Sequence, residues 1–169
     1  MKVGIIGCAH MHVYSYTLCL KTIGIEIVGI YDRDKETMFQ FSEKYGISPY
    51  EQLDDLLQTD IDTVLICSEN VFHCEYTVSA AAYKKHVIVE KPMALTVEDA
   101  EKMISDCYAA GVKLMVAHPV RFSQPMQSLK QMIDAGTCGK LIAINATNHG
   151  KSPGGWFVEQ KLSGGGAII

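Results

Sequence analysis

Five short, nearly unbroken apolar runs recur in the first 117 residues, at 3–6, 26–31, 63–67, 87–90 and 114–117. A strand with one wet face alternates apolar and polar residues, whereas a strand covered on both faces reads as a continuous apolar run. The segments between the runs carry apolar residues at spacings of three and four, the period of a helix with one buried face. Val97, Ala100, Ile104 and Cys107 show it best. Repeated strand–helix units joined by right-handed crossovers allow few architectures, and the pattern predicts an α/β, doubly wound parallel sheet. Helix ends are marked too: Asp34 and Thr96 are suited to N-caps, and Gly46 and Gly111 to left-handed stops. Further helices are expected over 12–22, 50–58 and 71–84.

The pattern changes after about residue 120. Pro119 and Pro125 bracket Arg121-Phe122, a helix is expected over 126–135, and Gly136-Thr-Cys-Gly139 forms a turn. A strand is expected over 141–148, followed by a glycine-rich tail that holds the only tryptophan, Trp156. The chain therefore divides into a first domain, 1–120, and the beginning of a second, 121–169.

Composition removes several classes of partner. A net charge of −4 with scattered basic residues offers no surface for nucleic acid. No run approaches the ~20 apolar residues of a membrane helix, so no membrane partner is expected. The six cysteines form no CxxC pair and fall mostly inside core runs, which fits free thiols in a reducing, cytoplasmic setting.

The first turn, Gly7-Cys-Ala-His-Met-His12, lies between a strand and a helix N-terminus, where amides and the helix dipole favour an anion. Set against G-x-G-x-x-G, the three glycine positions hold Gly7, Ala9 and His12. Asp32 ends the second strand, where a carboxylate can accept ribose hydroxyls and repel a 2′-phosphate. Arg33 beside it offsets that repulsion, so NAD is favoured and NADP is the alternative. Asp32 serving only as a cap for its turn is the competing reading. Gly7, Ala9, His10, Met11, His12, Asp32 and Arg33 are accordingly the candidate cofactor contacts. A metal site on His10 and His12 needs further ligands, for which His73, His86, His118 and His149 are available. None has a helical i, i+4 partner, and we assign no metal.

Two later stretches are more specific: Asp62-Thr-Val-Leu-Ile-Cys-Ser-Glu-Asn-Val-Phe-His73, and His86-Val-Ile-Val-Glu-Lys-Pro92. With Arg121-Phe122-x-x-Pro125, Gly136-x-x-Gly139 and Ser163-Gly-Gly-Gly166, the chain resembles the Gfo/Idh/MocA family of oxidoreductases over nearly its whole length. The resemblance implies an N-terminal Rossmann domain. It also implies a C-terminal α/β domain whose mainly antiparallel sheet, here truncated, carries substrate and homo-oligomer contacts. The implied reaction is hydride transfer between a nicotinamide and a secondary alcohol of a polyol, sugar, sugar derivative or cyclitol. Lys91 is then the catalytic residue beside nicotinamide and substrate oxygen, with Glu90 bordering the cofactor. Ser68, Asn70 and His73 line the nicotinamide side, and Arg121 binds an anionic group or bridges domains.

The sequence departs from that pattern in places. Glu69 stands where relatives often have proline, and Lys84 where they commonly have glycine. Relatives also continue past the triple glycine to an aspartate and a histidine that act as acid and base. The chain stops short of them, so a fragment of a longer protein is expected. The alternative function is a catalytically silent NAD-binding sensor or scaffold.

Overall fold

The computed structural model describes residues 1–147 and 150–165. The expected strand end at Asn148, the candidate ligand His149, and residues 166–169 lie outside them. Two compact units are present: 1–117 together with the described part of 155–169, and 118–154.

The first unit runs β1 (Lys2–Ile6), α1 (His12–Thr22), β2 (Glu26–Tyr31), α2 (Lys35–Tyr45), β3 (Ser48–Pro49), α3 (Leu53–Leu57), β4 (Thr63–Ile66), α4 (His73–Ala82), β5 (His86–Glu90), α5 (Val97–Ala110) and β6 (Leu114–Ala117). All strand pairs are parallel, in the order β3-β2-β1-β4-β5-β6. This is the doubly wound Rossmann arrangement that the apolar runs predict. Neighbouring residues of one strand serve opposite faces. Ile6, Val64 and Ile66 pack with Leu56, Tyr76, Ala80 and Met103, while Ile5, Leu65 and Cys67 pack with Val13, Met38 and Phe41. Each fully buried large aliphatic side chain contributes about 1.5–3 kcal/mol, so the double-sided sheet dominates stability.

The caps form as expected. Asp34 accepts from the amides of Glu36 and Thr37, and Thr96 accepts from that of Asp99. Gly46 and Gly111 close α2 and α5 at φ of 61° and 71°. Both family departures occupy telling conformations. Glu69 has φ −65°, the value a proline ring imposes. Lys84 has φ 59° and is the one non-glycine residue with positive φ among the described residues, a conformation that glycine adopts without a Cβ penalty.

The sequence reading misses β3, two residues pairing with the outer edge of β2, and overextends α3. Cys8, Cys67 and Cys107 are buried, but Cys19 and Cys138 are exposed; no disulfide is present among the described residues. Among those residues, no helix is long and apolar enough to cross a membrane.

After Ala117 the second unit begins with a 3-10 turn, Pro119–Phe122, and continues into α6 (Gln124–Asp134). The strand expected over 141–148 is not formed in its described part, residues 141–147. A strand exists through its ladder, and this segment has no partner among the described residues; Ile142 and Ile144 are exposed. No antiparallel sheet occurs among the described residues either. The chain then adds a 3-10 turn, Gly155–Val158, and α7 (Gln160–Ser163) to the first unit.

Candidate functional site

Strand order reverses between β1 and β4, and in such sheets the crevice at the carboxyl ends receives the ligand. Gly7 stands there at φ 82°, and a Cβ on it would lie 2.5 Å from the Ser68 Cα. No other residue permits this approach of the two strand ends. The turn is then pinned amide by amide. Gly7 N–H donates to the Tyr31 carbonyl (2.7 Å) and His10 N–H to that of Cys67 (2.9 Å). Cys8 N–H donates to Asp32 Oδ2 (2.7 Å), and His12 N–H to His10 Nδ1 (3.2 Å). The amides of Ala9 and Met11 have no acceptor among the described residues. Two free amides just before α1 match what an incoming pyrophosphate needs.

Asp32 is buried and already bonded. Its Oδ2 also takes the Cys8 thiol (3.2 Å), and Oδ1 takes the Asp34 amide (2.8 Å). Burial and the Asp32 charge push the Cys8 thiol well above its usual range, so it stays protonated. Arg33 turns away toward α4: its guanidinium stacks on Phe72 (4.1 Å), donates to the Tyr76 hydroxyl (2.7 Å) and pairs with Glu75. The residues expected on the nicotinamide side shape their loops from within. Ser68 donates to the Glu69 carbonyl (3.0 Å), Asn70 Nδ2 to that of Ser163 (2.9 Å), and His73 Nδ1 to that of Pro92 (2.8 Å). His73 is fully buried, and burial holds its pKa below the usual imidazole range.

The densest chemistry lies where β5 ends. Glu90 is 0% exposed, yet its carboxylate is fully engaged. Oε1 accepts from the Tyr16 hydroxyl (2.6 Å) and from His12 Nδ1 (2.8 Å), and Oε2 accepts from the Lys91 amide (3.0 Å). The Tyr16 and His12 donors outweigh burial and leave Glu90 below the usual carboxylate range, hence ionised. The Lys91 ammonium is 3.5 Å from His10 Nε2. Burial pulls the His10 pKa down to about 4, so His10 is neutral at pH 7. Trp156 and Phe157 stack on each other (3.9 Å), with the indole N–H donating to the Ala9 carbonyl (3.0 Å) and Phe157 edge-on to His10.

Of the residues expected from sequence, Gly7, Ala9, His10, Met11, His12, Asp32, Ser68, Glu90 and Lys91 gather around these strand ends. Arg33 points elsewhere, and Arg121 belongs to the second unit, its carbonyl accepting from Gln127. Tyr16 and Cys8 were not anticipated as site residues. Only Tyr16 had a local signal, its i, i+4 spacing from His12 on α1.

His10, His12 and Glu90 place three ligand-type atoms within 4.8 Å of one another. The donor set does not suit a cation. His10 Nδ1 accepts an amide proton, so the ring proton of neutral His10 sits on Nε2, the atom a metal would need. The Lys91 ammonium faces that same nitrogen. Glu90 is already satisfied by three donors.

A family model described as an oxidoreductase family with an NAD-binding Rossmann fold matches residues 1–118. The chain belongs to the Gfo/Idh/MocA family. Its similar relatives include myo-inositol 2-dehydrogenase of Thermotoga maritima, 30% identical over 90% of this chain and 46% of that protein. D-glucoside 3-dehydrogenase of Escherichia coli is 31% identical over 100% of this chain and 50% of that protein. This Gfo/Idh/MocA chain thus spans about half the length of these curated relatives. Among solved structures, the WlbA dehydrogenase from Bordetella pertussis, in complex with NADH and UDP-GlcNAcA, superposes with a TM-score of 0.76. It is 28% identical, over 80% of this chain and 41% of that one.

Proposed function

We propose that this chain binds a nicotinamide dinucleotide across the carboxyl ends of β1 and β4, preferring NAD to NADP. We further propose that its protein moves hydride between nicotinamide and a secondary alcohol of a sugar, sugar derivative or cyclitol. The observation that carries the reading is Lys91, a cation at the carboxyl end of a parallel strand beside a neutral histidine and the N-terminus of α1. When bound, the nicotinamide supplies the hydride acceptor or donor. Lys91 holds the substrate oxygen as negative charge develops on it, a stabilisation strongest where water is excluded. Ala9 and Met11 amides take the pyrophosphate. Asp32 Oδ1, whose one donor among the described residues is the Asp34 amide, takes a ribose hydroxyl, and the carboxylate's charge opposes a 2′-phosphate. Because Arg33 is held by Glu75 and Tyr76, it does little to relieve that opposition.

We assign the homo-oligomer contact to the second unit, whose α6 exposes Met126, Leu129 and Met132, and the compartment to the cytoplasm. The test is titration calorimetry with NAD and NADP on the wild-type chain and on Lys91→Ala. NAD binding in both, at least tenfold tighter than NADP, is the expected outcome. The full-length protein with Lys91→Ala should then lose turnover on a polyol and sugar panel. Cofactor binding without turnover in the wild-type full-length protein favours a silent sensor, and no binding of either nucleotide refutes the reading.

A further inference from the structure

Nucleotide-binding turns of this kind use the third fingerprint glycine to let the helix lie close against its strand. Here His12 fills that position, and its ring reaches from the start of α1 to the end of β5. One turn further along the same face of α1, Tyr16 does the same. Both end on a single oxygen, Glu90 Oε1, at 2.8 and 2.6 Å. The other oxygen takes the backbone amide of the next residue, Lys91, at 3.0 Å. One buried carboxylate therefore joins the helix that follows the phosphate turn to the peptide that launches the lysine.

The arrangement is more than a filler for lost packing. A carboxylate withdrawn from water costs several kcal/mol unless its lone pairs are met, and removing one donor leaves the rest under-satisfied. The chain meets that demand with donors from two elements, and His10, wedged between, takes the His12 amide on Nδ1. The other titratable groups nearby are His73 from α4 and Cys67 at the end of β4.

We infer that His12 and Tyr16 are positioning residues that act through Glu90 to fix the backbone at Lys91, tying the phosphate turn and the lysine into one rigid body. The inference rests on the proposed role of Lys91, and its test does not require turnover. The probe is labelling of Lys91 by pyridoxal phosphate with borohydride, followed residue by residue by mass spectrometry. NAD affinity and thermal unfolding are measured on the same samples.

In Tyr16→Phe and His12→Gly, Lys91 should label about fivefold faster while other lysines keep their rates. NAD affinity in Tyr16→Phe should stay within threefold of wild type, since its hydroxyl meets Glu90 and not the phosphate turn. His12→Gln, whose amide still reaches a carboxylate, should return the Lys91 rate toward wild type. Tyr16→Phe placed on Glu90→Gln should add nothing to Glu90→Gln alone, because its effect passes through that carboxylate.

Unchanged Lys91 labelling in both single variants overturns the inference. So does full additivity with Glu90→Gln, or a rise shared by all lysines. If wild-type protein binds no NAD, the proposed function fails, while the labelling cycle still decides whether the clamp exists.

Discussion

Gly7→Ala separates two costs that usually arrive together. The residue sits at φ 82°, and an added methyl would meet Ser68 backbone Cα and N at 2.5 and 2.6 Å and its Cβ at 2.7 Å. The left-handed conformation alone costs an L-residue roughly 1–2 kcal/mol. The clash is a further overpacking cost of about 1–3 kcal/mol, because it is met by backbone rather than by a side chain that can swing aside. The expected total is about 2–5 kcal/mol. Gly24→Ala is the control: φ is 73°, yet nothing lies within 4 Å of the would-be Cβ, so only the conformational part should appear. Urea unfolding of both variants, followed by far-ultraviolet circular dichroism, gives the difference directly from the midpoints at constant m. A Gly7→Ala loss no greater than that of Gly24→Ala would refute the close approach of the β1 and β4 ends on which the site is built.

Acid should weaken the fold through its buried histidines. With the His10 pKa near 4 in the native state and near 6.5 unfolded, the unfolded chain binds the extra proton between those values. His10 therefore adds no penalty above pH 6.5, and its share of stability, up to ~3 kcal/mol, is lost as pH falls toward 4. Urea midpoints measured from pH 7 to 4 should show a shallower decline in His10→Asn, with the part due to His73 remaining. Lys84→Gly should raise stability by about 0.5–1 kcal/mol, read from the melting midpoint, by relieving a positive φ that a lysine tolerates poorly. Zinc at tens of micromolar should leave the melting temperature of the wild-type chain unchanged, and a rise of several degrees, absent in His12→Gly, would overturn the rejection of a metal. NAD should alter the emission of the sole tryptophan, Trp156, whose N–H rests on the Ala9 carbonyl; unchanged emission at saturation would place the nucleotide elsewhere.

The fold was largely legible because its signals are local. Period, caps and stops sit within a few residues of the elements they define, so Asp34, Gly46, Thr96 and Gly111 act as their chemistry predicts. What failed to show is non-local. The two-residue β3 has no pattern to detect, and residues 141–147 alternate weakly but lack a ladder partner among the described residues. The site divides the same way. Gly7 and Lys91 announced themselves by their place after strands, whereas Glu90 meets His12 and Tyr16 across 78 and 74 positions of sequence. Asp32 looked open to ribose, and only the three-dimensional turn shows how many donors it already serves. Arg33 looked free to offset the Asp32 charge until Phe72, Glu75 and Tyr76, absent from its local sequence, claimed it.

The return of residues 155–165 to the first unit means that this unit is discontinuous along the chain. Truncation after residue 118, where the family match ends, would remove the indole bonded to Ala9 and the carbonyl bonded to Asn70. An expression boundary drawn from the family match alone would cut through the module it means to isolate.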